Sequence, residues 1–215
     1  MARHFIFATP CRSGETLRQF LVGLLFLAAL PAGAASLPTE DALAERVLGR
    51  AEAPVTVIEY ASLTCPHCAD FHGQVLPDFK KDYIDTGKAK LVYRDYPLDA
   101  VALAAAMVAR CAPKDRYFGF LDVLYRSQPS WAQSANPQLE IERVARLGGL
   151  SKADFDACLD NQALMKGIQI GAERGRASFN VESTPTVIVD GKKYTGRMTA
   201  RDLGEAVDKI IAAKR

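Results

Sequence analysis

Two cysteines separated by two residues, Cys65-Pro66-His67-Cys68, are the residues of this 215-residue chain best suited to chemistry. If they open a helix, their i, i+3 spacing brings both sulfurs onto one face, close enough to form and break a local disulfide. Exchange of that bond needs an exposed, nucleophilic thiolate. Cys65 would stand where unpaired N–H groups and the positive end of the helix dipole stabilise negative charge. Pro66 suits the first helical turn, where a missing donor costs nothing, and His67 can add a positive charge or a donor beside the sulfur. Each effect favours the ionised, reduced Cys65 over the disulfide, so the pair tends to hand its bond to other thiols. A structural zinc site would want two further ligands at close spacing, whereas Cys111 and Cys158 stand far apart and singly. Haem attachment would need His directly after Cys68, and the chain has Ala69. A soft-metal site built on Cys65, His67 and Cys68, or a disulfide that merely staples a turn, stays open on spacing alone.

The elements that must hold these sulfurs can be read on both sides of them. Val55 to Ala61 is β-branched and nearly free of polar interruption, which predicts a buried strand, with Glu59 as its one acid. Ala69 to Tyr83 reads as the helix after the motif, its core stripe formed by Phe71, Val75 and Phe79, and His72 is expected on its exposed side. Lys90 to Tyr96 predicts a second strand, ended by Pro97. Helical patterns then follow for some eighty residues: Ala100 to Cys111, Arg116 to Tyr125, a helix started by Asn136-Pro137 and stopped by Gly148-Gly149, one capped by Ser151 with Asp154, and one reaching about Ala177. Trp131, the only tryptophan, is expected to be a packing residue. Thr184-Pro185 heads a third strand, Val187 to Asp190, and the Asp190-Gly191 turn leads to a hairpin arm around Lys193 to Gly196. A proline at the head of a buried strand often marks a cis bond. Thr199 with Asp202 caps the last helix.

The first thirty-five residues have the three parts of a secretory signal peptide: Arg3, Arg12 and Arg18 against Glu15, an apolar stretch from Phe20 to Leu30 too short to span a bilayer, then Pro31-Ala32-Gly33-Ala34-Ala35. Cleavage is expected near Ala34 or Ala35. It would remove three basic residues and one acidic one from a chain of formal net charge +2, leaving it nearly neutral. Nucleic acid and anionic membrane surfaces are therefore not expected as partners. Leu37 to Arg50 reads as a short helical leader with Thr39 as its cap. It shows no long heptad pattern, so a monomer is expected. Cleavage would also discard Cys11, and the four cysteines that remain suit an oxidising compartment. Helix spacing argues for Cys65 with Cys68, which leaves Cys111 with Cys158 as a structural bond; two free buried thiols are the other reading.

Cys-Pro-His-Cys after Val-Ile-Glu-Tyr-Ala-Ser resembles the DsbA family of periplasmic thiol oxidoreductases. The resemblance implies an α/β thioredoxin fold with an inserted helical domain: a leader at 36–52, the two halves of the fold at 53–97 and 178–215, and the insertion at 98–177. It implies a strongly oxidising Cys65, Cys68 as its resolving partner, and Glu59 as a buried acid that relays protons to Cys68. His72 stands where these proteins often carry an acid. Pro185 would be cis and face the cysteines, while Thr184 offers its backbone to an incoming peptide. Cys111 and Cys158 fall where related proteins carry a second, non-catalytic disulfide. The implied function is that of a periplasmic dithiol oxidase acting on exported proteins with free or mispaired cysteines and reoxidised by a membrane partner of the DsbB type. An isomerase or reductase fed by a partner of the DsbD type uses the same residues in reverse. No cofactor is expected.

Overall fold

Val55–Ala61 is an extended run whose side chains alternate between two faces, Val55, Val57 and Glu59 on one and Ile58 and Tyr60 on the other. In the computed structural model, which describes residues 38 to 194 and 196 to 214, this strand, β2, is the centre of a five-stranded sheet. Strand β3 (Ala89–Asp95) lies parallel to it, with Val55 opposite Ala89 and Ala61 opposite Asp95. Strand β4 (Thr186–Val189) pairs antiparallel on its other side, and β5 (Lys192–Tyr194) follows as the edge. The turn between them holds Asp190 at φ 47° and Gly191 at φ 90°, the pair of left-handed residues that a two-residue hairpin demands.

The opposite edge corrects the reading of residues 37 to 50 as one helical leader. Helix α1 is only Thr39–Leu43, and Arg46–Leu48 form strand β1, antiparallel to β3. Pro38, not Thr39, takes the cap position; the Thr39 hydroxyl instead accepts from Asn161 Nδ2 at 2.9 Å. A three-residue strand is too short to show its period. Long-range partners place it: Arg46, 2 % exposed, donates from Nη2 to the Arg110 carbonyl at 2.9 Å and lies over the Tyr117 ring. The signal-peptide assignment, its cleavage point and Cys11 fall outside the described residues.

After β2 comes a helical run that begins as α2 (Pro66–Asp70), passes through a π-helical turn at Phe71–Val75, continues as α3 (Leu76–Phe79) and ends in a second π turn at Lys80–Ile84. Pro77 accounts for the first. It cannot donate to the preceding turn, and the amide of Leu76 reaches back five residues to the Phe71 carbonyl.

Six helices separate β3 from β4: α4 (Ala100–Cys111), α5 (Tyr117–Arg126), α6 (Gln128–Ala132), α7 (Pro137–Leu147), α8 (Lys152–Asp160) and α9 (Gln162–Phe179). Side-chain caps start four of them: Asp99 for α4, Asn136 for α7, Ser151 with Asp154 for α8 and Asn161 for α9. Helix α10 (Ala200–Ala213) closes the chain behind a capping box of Thr199 and Asp202.

The core has three parts. Val55, Val57, Leu91 and Val187 pack with Phe71, Phe79, Leu203 and Val207 between one sheet face, the motif helix and α10. Tyr60, Val181 and Ile188 fill the other face under α9, which comes so close that a Cβ at Gly175 would collide with the Tyr60 ring. The third part lies among the inserted helices around Tyr117, Leu121, Leu124, Phe155 and the fully buried Trp131, and it reaches Cys65 and Cys68. The motif therefore sits where the sheet and the inserted helices meet.

Candidate active site

Cys65 is the cap residue of α2, extended at φ −79° and ψ 119°, with Pro66 in the first turn. Its carbonyl accepts from the amides of Cys68 (3.1 Å) and Ala69 (3.2 Å), and its own amide donates to the Ser62 carbonyl at 3.1 Å. Opposite stands the Thr184–Pro185 peptide bond, which is cis. The Cys65 thiol donates to the Thr184 carbonyl at 3.3 Å, across 119 positions of sequence. The Thr184 hydroxyl oxygen is buried and makes no hydrogen bond of ordinary geometry among the described residues, which leaves its proton free for a charged sulfur.

These surroundings hold the Cys65 thiol well below its ordinary range, at about 5. The chief cause is the hydrogen bond from the Cys68 thiol, which outweighs burial; Thr184 and the amides of Cys68 and His67 add to it. Cys68 moves the opposite way. It is completely buried, and burial first, then the proton it lends to Cys65 and the nearby Glu59 carboxylate, push its thiol far above the usual range. Two sulfurs three residues apart thus differ sharply in acidity, one set to be a thiolate and the other to stay protonated.

Exposure at the motif differs from expectation. Cys65 is only 6 % exposed, tucked under the Thr184 carbonyl, and the accessible residues are Pro66 and His67. The His67 ring lies 3.8 Å from Asp70, on the surface, so what His67 brings to the thiolate is its backbone N–H.

Glu59 is wholly buried, on the sheet face covered by the motif helix. Its partner is His72, 3.0 Å from Glu59 Oε2 to Nε2. This corrects the exposed placement expected of His72, which is 5 % exposed and stacked on the Tyr125 ring at 4.2 Å. A buried carboxylate is costly unless it meets a donor, and the histidine turns inward to supply one.

Gln128, at the start of α6, is a site residue that sequence reasoning missed. It is buried, and its Nε2 donates to the carbonyls of Leu63 (2.7 Å) and Cys65 (3.0 Å), tying the loop before the motif to the inserted helices. A Gln-Pro pair more than sixty residues downstream carries no local sign of that contact. Thr64 makes a second tie through its hydroxyl to Asp99, the cap of α4, at 2.7 Å. Farther off, Cys111 at the end of α4 and Cys158 in α8 are joined as a disulfide with Cα atoms 6.4 Å apart. Cys65 and Cys68 carry free thiols. Among the described residues, no three His, Cys, Asp or Glu side chains are grouped to hold a metal ion.

A family model described as Thioredoxin matches residues 41–209. A protein of Rickettsia conorii, provisionally named protein-disulfide oxidoreductase, is 31 % identical over 172 residues, which are 80 % of this chain and 62 % of that protein. The chain therefore spans about three fifths of the length of that relative. Disulfide bond formation protein D of Bacillus subtilis is 25 % identical over 174 residues, 78 % of either chain. Among solved structures, alpha-DsbA1 of Wolbachia pipientis superposes with a TM-score of 0.72 at 31 % identity, over 80 % of this chain and 94 % of that one. The fold read from the sequence, a thioredoxin fold with helices inserted, is the fold observed.

Proposed function

The chain belongs to the thioredoxin family, in a DsbA-like form, and from that premise we propose that it is a periplasmic thiol:disulfide oxidoreductase working as a dithiol oxidase on exported proteins. The observation that carries this reading is the opposed acidity of Cys65 and Cys68 beneath the cis Thr184–Pro185 bond. In the oxidised protein a substrate thiolate attacks the Cys65 sulfur. The Cys65–Cys68 bond breaks, its electron pair passes to Cys68, and Cys68 takes up a proton. A second substrate thiolate then attacks the substrate sulfur of the mixed disulfide and expels Cys65 as a thiolate, a good leaving group because its charge is stabilised. The protein leaves with two more electrons than it began with, and the substrate has gained a disulfide. A stable Cys65 thiolate makes the reduced form favourable, which drives the exchange in that direction.

The Thr184 carbonyl, which meets Cys65 beside the cis Pro185 just before β4, supports substrate docking along this backbone. The Cys111–Cys158 bond and the signal-peptide pattern of the first residues support work in an oxidising compartment. Reoxidation by a membrane partner of the DsbB type completes the cycle. Acid quenching of cells followed by thiol trapping tests the direction: Cys65 and Cys68 are expected mainly as disulfide, and recovery mainly as dithiol would instead make the protein a reductase or isomerase.

A further inference from the structure

Two buried titratable side chains beside the cysteines, Glu59 and His72, take no part in the mechanism above. His72 is turned inward on the motif helix, and its Nε2 lies 3.0 Å from Glu59 Oε2. The other carboxylate oxygen, Oε1, is buried and has no hydrogen-bond partner among the described residues. It belongs to a side chain whose charge acts on the Cys68 thiol.

The walls around the pair are uncharged. From α5 come the Tyr125 ring, stacked on His72, and Tyr117; from β3 comes Tyr93, edge-on to His72 with its hydroxyl 2.7 Å from that of Tyr125. Burial keeps all three phenols neutral by pushing them well above their ordinary range. The nearby charges are committed elsewhere: Asp95 of β3 pairs with Arg110 of α4, and Arg46 of β1 donates to backbone carbonyls. The motif helix adds only Cys68 itself.

We propose that His72 is a positioning residue for the proton relay that the resemblance assigns to Glu59: its ring holds the Glu59 carboxyl group in place and supplies the proton that Glu59 passes to Cys68. When substrate attack breaks the Cys65–Cys68 bond, the imidazolium of His72 passes its proton to the Glu59 carboxylate, and the departing Cys68 thiolate takes a proton from the carboxyl group so formed. The pair thereby changes from imidazolium and carboxylate to neutral imidazole and carboxylate. A solvent proton later restores it. When Cys68 attacks the mixed disulfide, each transfer reverses. No electrons pass through the pair; it moves one proton for each thiolate made or lost at a site closed to water.

This inference rests on the reading as a thiol:disulfide oxidoreductase, and two measurements keep the two apart. The first is the rate at which glutathione reduces the Cys65–Cys68 disulfide, followed across pH 5 to 8 in the wild type, His72→Gln and Glu59→Gln. His72→Gln retains an amide donor for Glu59 but holds no second proton. It is expected to slow the reaction by about a hundredfold, the lower end of the span usual for general acid–base catalysis, and to flatten its pH profile. Glu59→Gln should reproduce that profile, and the double variant should add nothing further. The titration of Cys65 should stay at about 5 in His72→Gln, because its causes do not include His72. The second measurement is the nitrogen NMR of the His72 ring in the wild type, which should change protonation between the disulfide and dithiol forms at fixed pH. A His72→Gln profile that overlays the wild type, or ring signals indifferent to the redox state, overturns this role for His72. A wild type that exchanges no disulfide with glutathione overturns the parent reading instead, and the ring signals still judge the pair.

Discussion

At the scale of the residue, the reactivity of Cys65 is made largely by Cys68. The hydrogen bond from the Cys68 thiol is the first cause of its low acid range, ahead of Thr184 and the helix amides. Thiolate absorbance of the reduced protein should therefore titrate with a midpoint at about 5. Cys68→Ala should move that midpoint upward while leaving the helix end intact; an unchanged midpoint would hand the effect to the dipole and the amides. Stability follows with a definite sign. The folded Cys65 ionises at about 5, below the value of about 8.5 usual for an unstructured thiol, so its charge stabilises the reduced fold fully above about 8.5. That contribution is lost as pH falls through 5. The disulfide form has no such group, so the denaturation midpoint of the reduced form, measured relative to that of the disulfide form, should fall as pH is lowered from 8 to 5.

At the scale of the element, α2 and the loop before it are held by ties from distant sequence. Gln128 of α6 donates to the Leu63 carbonyl and adds a third bond to the Cys65 carbonyl, which already accepts from the amides of Cys68 and Ala69. Gln128→Ala should destabilise the fold by about 1–3 kcal/mol, the usual cost of stranding buried polar groups. Chemical denaturation measures this, and a loss below about 0.5 kcal/mol would make the tie incidental. The motif helix itself could be read from Pro66 and the Phe71, Val75, Phe79 stripe, and Phe71 and Phe79 are indeed buried. Its π turns could not be read so simply. His72, expected outside, is buried against Glu59 and Tyr125.

At the scale of the whole molecule, the sheet and the inserted helices close over one another around the cysteines, and the Cys111–Cys158 bond ties α4 to α8 within that insertion. It spans 47 positions. On a chain-entropy argument its loss removes about 4 kcal/mol. Cys111→Ser with Cys158→Ser should thus lower Tm by roughly 8–16 °C, at the 2–4 °C per kcal/mol typical of this size, while leaving the Cys65 titration in place. Calorimetry with the thiolate titration checks both halves; loss of exchange activity at unchanged Tm would contradict a structural role.

The sequence by itself determined the reactive pair, the strand before it, the capped helices and the Thr184-Pro185 landmark. Each is written in neighbouring residues, through spacing, caps and the backbone limits of proline. Tertiary structure alone decided that Arg46–Leu48 is a strand, that Gln128 reaches the motif and that His72 meets Glu59. Those outcomes follow from the cost of leaving buried polar groups unpaired, and the partners that remove the cost lie thirteen to sixty-five positions away, where no local pattern can announce them.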